Sequence, residues 1–149
     1  MNANHTFVFS DPHLDHVNII EYCKRPFKTV EQMNEVMLKN WQSTIGIQDT
    51  VYFLGDMAFG RGSRTPRWWL DRLCGRIIYI KGSHDNGIRE RSVGLNAVEV
   101  VRSKVISIEG IGDIFLVHNP IDIPSEWKGW VIHGHCHNIV PHIDFQSKR

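Results

Sequence analysis

The chain has 149 residues, enough for one domain with a sizeable core and too few for two independent ones. Hydrophobic residues at 42% and charged residues at 22% are ordinary for a folded domain, which excludes a disordered or low-complexity chain. A formal net charge of +1 excludes bulk attraction to nucleic acid or an anionic membrane, so any affinity for phosphate has to come from local features.

In chain order, "HTFVFS" (5–10) reads as a buried strand closed by Asp11-Pro12. "HVNIIEYC" (16–23) is a short helix with Asp15 as its N-cap. A longer helix follows at about 30–45: Thr29 and Gln32 have capping-box spacing, and Val30, Met33, Met37 and Trp41 form one apolar face. "TVYFLG" (50–55) is a second strand. Thr65-Pro66 then opens a helix running to Leu73 and stopped near Gly75, and "RIIYIKG" (76–82) is a third strand. Helices between strands predict βαβ units and a parallel sheet. From about 98 the texture changes, and two strand patterns around Gly110-Ile111-Gly112-Asp113 predict an antiparallel hairpin. "WVIHG" (130–134) is a further strand, and "NIVPHIDF" (138–145) reads as an edge strand because of Pro141.

Cys23, Cys74 and Cys136 have unrelated spacings and make no disulfide framework, which fits a reducing, cytoplasmic setting. No basic region followed by an apolar stretch opens the chain, so a signal peptide is not expected, and no apolar run is long enough to span a bilayer.

The 9 histidines are unusual, and their placement is more so. Each apolar run ends in polar chemistry: Asp11-Pro12-His13, Asp56, Ser83-His84-Asp85, His118-Asn119-Pro120 and His135-Cys136-His137. In α/β sheets ligands bind just outside the carboxyl ends of strands. Taken singly, Asp11 and Asp56 suit turns, His118 suits a core position, and "HGHCH" suits a local zinc loop. The zinc loop is the weaker reading, because neighbouring strand residues face opposite ways. Together these endings form a mixed oxygen and nitrogen ligand set for a metal.

Asp11-Pro12-His13, Gly55-Asp56, Gly82-Ser83-His84-Asp85, His118-Asn119-Pro120 and Gly134-His135-Cys136-His137, in that order, resemble the motifs of the calcineurin-like metallophosphoesterases. The resemblance runs from residue 8 to about 138, and "RPFKTVEQMNEVMLKNW" (25–41) is similar to a small, cap-less bacterial and phage branch of that family. It implies a single domain over 1–149 of the α/β class, a sandwich of two mixed β-sheets flanked by helices. Family members usually continue with a further strand, so the C-terminal edge is expected to lack it.

The resemblance further implies two divalent ions, Mn2+ foremost with Fe, Zn or Ni as alternatives. Asp11, His13 and His137 would hold the first, His118, His135 and the residue at 83 the second, and Asp56 both. Two such ions about 3.5–4 Å apart activate a shared water for in-line attack on phosphorus. His84 would stand over the site as general acid with Asp85 orienting it, so Ser83-His84-Asp85 is not a nucleophilic triad, whose members a fold gathers from distant positions. Ser83 departs from the family's asparagine and is a shorter, poorer donor, which predicts a weakened second site. Cys136 reads most simply as a small buried residue.

Arg61, Arg64 and Arg67 follow Asp56 in a Gly-rich stretch, and Arg61 is the foremost candidate to meet a phosphate. His16 is close enough in sequence to reach substrate. Trp68 and Trp69 suit core packing better than stacking on a base. The expected activity is hydrolysis of phosphomonoesters or phosphodiesters of a small substrate, nucleotides included, with no membrane and no obligate nucleic-acid partner. A nuclease and a non-catalytic protein-binding scaffold of the same fold are the alternatives.

Overall fold

A computed structural model describes residues 4–85, 88 and 97–138. In chain order they form β1 (Thr6–Phe9), α1 (Val17–Tyr22), α2 (Val30–Thr44), β2 (Thr50–Phe53), α3 (Pro66–Leu70), β3 (Arg76–Ile80), β4 (Ala97–Val101), β5 (Ser103–Ile108), β6 (Gly112–Val117) and β7 (Trp130–His133). Two sheets flanked by helices result, an α/β architecture. One sheet has the order β1-β2-β3-β4 and the other β5-β6-β7.

Where a mixed sheet was expected twice, only the second is mixed among the described residues: β1 to β4 are parallel throughout. In the second sheet β5 and β6 form the expected antiparallel hairpin, while β7 joins β6 in parallel. The run from 98 is also not one strand before the turn. It breaks at Arg102, giving its first half to one sheet as β4 and its second half to the other as β5. Strands of four to six residues explain why the apolar runs looked continuous, since the central strands are covered on both faces.

The alternation within strands distributes three clusters. Val51 and Phe53 of β2 and Ile77 and Tyr79 of β3 face the helices, packing with Trp41, Trp69 and Leu70. The Phe53 and Tyr79 rings stack with centroids 5.0 Å apart. On the opposite face, Leu54 and Ile80 meet Ile114 and Leu116 of β6, and this layer joins the two sheets. Phe115, Val117 and Val131 cover the outer face of the second sheet with Trp127.

The caps are mostly as expected. Thr29 accepts a hydrogen bond from Gln32 N at 3.2 Å and Thr65 from Trp68 N at 3.2 Å. The capping box is not reciprocal, because the Gln32 side chain accepts from Lys28 N at 2.8 Å. Asp15 does not cap α1. His16 occupies that position without a side-chain bond, and Asp15 has a left-handed backbone (φ 65°) that turns its carboxylate inward. There it accepts from Asn34 Nδ2 at 2.8 Å, Arg64 Nη1 at 2.8 Å and Trp69 Nε1 at 3.3 Å, tying α2, α3 and the connecting loop together. α3 ends at Leu70 rather than Leu73. The proposed strand over "NIVPHIDF" lies beyond Asn138, outside the described residues.

Candidate metal centre

The candidate ligands stand on loops leaving the carboxyl ends of β1, β2, β3, β6 and β7, and backbone hydrogen bonds lock those loops together. The segments after β1 and β2 run side by side: Asp11 N donates to Gly55 O at 3.1 Å, His13 N to Asp56 O at 3.1 Å and Leu14 N to Met57 O at 2.9 Å. Gly134 N donates to His118 O at 3.0 Å, and His135 N to Asp11 Oδ2 at 3.0 Å. Two glycines of the motifs are required by these approaches. A Cβ on Gly82 would overlap Asp56, and one on Gly134 would overlap Ser10 Oγ and Asp11 Oδ2.

Two groups of ligand atoms result, Asp11–His13–His137 and Asp56–His118–His135. In the first, His13 Nε2 lies 3.1 Å from His137 Nε2 and 3.7 Å from Asp11 Oδ1, and His137 Nε2 lies 3.6 Å from Asp11 Oδ1. In the second, His118 Nε2 lies 3.3 Å from Asp56 Oδ2 and 3.3 Å from His135 Nδ1. Asp56 Oδ2 is also 3.6 Å from His13 Nε2, so one carboxylate stands between the two groups. Ser83 Oγ lies 3.4 Å from His135 Nδ1, beside the second group.

These spacings fit a metal. Bonds of about 2.0–2.2 Å to imidazole nitrogen or carboxylate oxygen separate neighbouring ligand atoms on one ion by about 3–3.5 Å. Paired imidazole nitrogens facing each other at such distances need a proton or a cation between them. The backbone supports the same view. Seven non-glycine residues among those described have positive φ, and Asp11, His13, Asp56, His135 and His137 are five of them. Left-handed backbone costs an ordinary residue about 1–3 kcal/mol and collects at functional sites.

Burial acts to raise the Asp11 and Asp56 carboxyls, yet both are held below the ordinary range. The His13 ring, Ser10 and the His135 N–H outweigh it at Asp11, and His118 and the His84 N–H outweigh it at Asp56. Burial depresses His137, assisted by His13 and Arg25 and opposed by Asp11, which favours the neutral ring a metal requires. His118 responds oppositely. Burial acts to lower it, but Asp56 and the Leu54 carbonyl prevail and raise it. That carbonyl, 2.7 Å from Nδ1, accepts the Nδ1 proton and so directs the Nε2 lone pair at Asp56 and His135. His137 has a comparable partner that the sequence did not suggest, Cys23 Sγ, 3.0 Å from its Nδ1. Arg25 donates to Pro12 O and, at 2.8 Å, to Asp11 O, bracing the first loop.

His84 lies with its Nε2 3.9 Å from Asp56 Oδ2, ring against the centre. The expected partnership with Asp85 is not what holds it. The buried Asp85 carboxylate accepts backbone N–H bonds from Gly82 at 2.7 Å, Asp56 at 2.9 Å and Met57 at 3.2 Å, so it clamps the Asp56 loop to the β3 loop. The His84 ring packs instead on Phe59, centroids 4.0 Å apart, and edge-on to His13 at 5.6 Å. Cys136 is half-buried rather than buried and belongs to neither ligand group.

His16 and Arg61 line a cavity next to His84. Burial, then the nearby positive groups, lowers the His16 pKa. Arg64 is paired with Asp15 and lies over Trp68, 4.6 Å from its ring centroid. Arg67 forms an ion pair with Asp71 at 3.7 Å. Trp69 is buried in the core and Trp68 carries Arg72 at 3.3 Å from its centroid, so neither is the open aromatic of this surface. Phe59 is. Its signal was an aromatic three residues after Asp56.

The fold and these side chains define an α/β protein with a candidate binuclear metal centre at the carboxyl ends of its strands. The chain is 35% identical over 147 residues to the uncharacterized protein MJ1445 of Methanocaldococcus jannaschii, covering 97% of this chain and 74% of that one. It is 32% identical over 163 residues to the gene 66 protein of Mycobacterium phage L5, covering 91% and 78% respectively. It belongs to the family of these two proteins. Among solved structures it is similar to AQ665 from Aquifex aeolicus, a protein of unknown function, at 29% identity and a TM-score of 0.61 over 82% of this chain. The chain spans 64% of that protein's length. No family model matches the chain. Among the described residues no helix is long and apolar enough to cross a membrane.

Proposed function

We propose that this chain is a binuclear metal-dependent phosphoesterase of the calcineurin-like type, with the corresponding two-sheet sandwich, hydrolysing phosphomonoesters or phosphodiesters of a small substrate. The observation that carries the reading is Asp56: one buried carboxylate oxygen, on left-handed backbone, stands 3.6 Å and 3.3 Å from the histidines of two separate ligand groups. Asp11, His13 and His137 would hold one divalent cation, His118, His135 and Ser83 the other, and Asp56 both. Manganese suits the oxygen and imidazole donors.

When bound, two such cations neutralise phosphate charge and bring a water towards deprotonation near neutral pH. The chain's own side chains supply the rest. His118 and His137 keep their metal-facing nitrogens aimed through Leu54 O and Cys23 Sγ. Asp85 fixes the spacing between the Asp56 loop and His84. His84, beside the centre and partly open, is placed to donate a proton to the departing ester oxygen. Three free thiols agree with a reducing, cytoplasmic setting.

The test is hydrolysis of bis(4-nitrophenyl) phosphate by the full chain in excess manganese, with Asp56→Asn as the comparison. Asparagine keeps an acceptor for His84 N, which Asp56 Oδ1 now receives at 2.8 Å, while removing the shared charge. Loss of an outer partner of a metal typically costs about 10–100-fold, so this central ligand should cost at least about 100-fold. A rate unaffected by Asp56→Asn or by chelation contradicts the proposal, and absence of hydrolysis by the wild-type chain in excess manganese favours the scaffold reading.

A further inference from the structure

Immediately beside His84 the surface opens into a cavity of 770 Å³, within the range of small-molecule sites. Its wall is aromatic on the side nearest the metal centre. The Phe59 and His84 ring centroids are 4.0 Å apart, and Phe59 and His16 meet edge-to-face at 5.0 Å. Phe59 retains 39% exposure in spite of these contacts, and Val17, at 62%, extends the apolar surface.

Phe59 is not there by accident of a loose loop. Its N–H donates to Leu14 O at 3.1 Å, extending the pairing that positions Asp56, so the ring is registered to the metal centre. Gly60 (φ 121°) and Gly62 (φ 80°) then set Arg61 at the rim. Arg64, on the same wall, is engaged by Asp15 and the tryptophans, whereas Arg61 has no carboxylate partner among the described residues. A cation and an aromatic face therefore stand together, next to the point where an ester group would leave.

We propose that this cavity is the site for a planar aromatic group, a nucleobase or aryl ring, carried by one ester substituent of the scissile phosphate, with Phe59 as its stacking face and Arg61 meeting a further anionic oxygen. The proposal rests on the phosphoesterase reading and adds the substrate class and its specificity residue. Stacking on an aromatic side chain contributes enough that alanine substitution weakens binding roughly 5- to 150-fold per base.

The test uses the manganese-loaded full chain with a dinucleoside monophosphate and, as a diester without an aromatic ring, glycerophosphocholine. Phe59→Ala is expected to raise KM for the dinucleotide about tenfold or more relative to any change in KM for the alkyl ester, and this selective effect is expected to be rescued by Phe59→Trp. Adenosine, titrated into metal-free protein by NMR, should shift resonances of residues around 59–61 in wild type and bind at least about fivefold more weakly to Phe59→Ala. Equal KM changes on both esters, or a fall in kcat alone on both, would assign Phe59 to positioning His84 and overturn the pocket, as would unaltered adenosine binding. If wild type hydrolyses neither these esters nor bis(4-nitrophenyl) phosphate, the phosphoesterase reading fails, and the adenosine titration still judges the aromatic site.

Discussion

Asp85→Asn tests the architecture beneath the site. The carboxylate is 1% exposed and receives three backbone donors, Gly82 and Asp56 on Oδ2 and Met57 on Oδ1. An asparagine oxygen can replace Oδ2 for the first two. Its amide nitrogen then faces the Met57 N–H, donor against donor. One charge-assisted hydrogen bond, worth about 1.5–3 kcal/mol, is lost, and a buried N–H left unpaired costs about 1–3 kcal/mol. The two figures overlap, and relief of a buried charge offsets part, so the net loss is about 2–4 kcal/mol. Urea unfolding of the metal-free chain measures it as a lower midpoint at unchanged slope. Manganese titration of the same variant should show weakened binding, because the Asp56 loop is no longer pinned. If Asp85 serves only to orient His84, stability and metal affinity will equal wild type while hydrolysis alone falls; that outcome would refute the clamp.

Ser83→Asn should strengthen the second ion's binding by about tenfold or more and raise turnover in excess manganese; metal stoichiometry and turnover both unchanged would show that position 83 is not a ligand. Gly134→Ala forces a Cβ into Ser10 and Asp11, so it should cost about 2 kcal/mol or more and abolish binding at the first ligand group; a wild-type unfolding midpoint contradicts this packing. Asp49 tests pH linkage far from the metal centre. The His5 N–H, then the Gly46 N–H, hold its carboxyl below the ordinary range. A depressed folded pKa adds stability above the unfolded value of about 4 and loses it as pH falls through the folded value. The stability gap between wild type and Asp49→Asn should therefore be present at pH 6 and close below about pH 4; a gap independent of pH would refute the assignment.

The parts of the molecule legible in the sequence are those whose cause is local. Apolar runs closed by glycine and aspartate gave strands β1, β2, β3 and β7 within a residue or two, and Thr29 and Thr65 were read as caps from spacing alone. The candidate ligand residues were legible because each follows the carboxyl end of a strand, and β1 to β3 in one sheet and β6 and β7 in the other run parallel. What was not legible depends on tertiary partners. Asp15 looks like an N-cap until its left-handed backbone turns the carboxylate towards Asn34, Arg64 and Trp69. Asp85 looks like a partner for its neighbour His84, but three backbone amides from two loops claim it. Cys23 gives no local sign of His137, 114 residues away. The break at Arg102 is set by which sheet each half can join, a choice hydrophobic pattern alone does not encode.

The most direct measurement of the central claim is anomalous diffraction at the manganese edge from crystals of this chain grown in excess Mn2+. The account predicts two peaks about 3.5–4 Å apart, one bounded by Asp11, His13 and His137, the other by His118 and His135, with the Asp56 carboxylate reaching both. Crystals grown in excess Mn2+ with no anomalous peak in bonding range of Asp56 would contradict it.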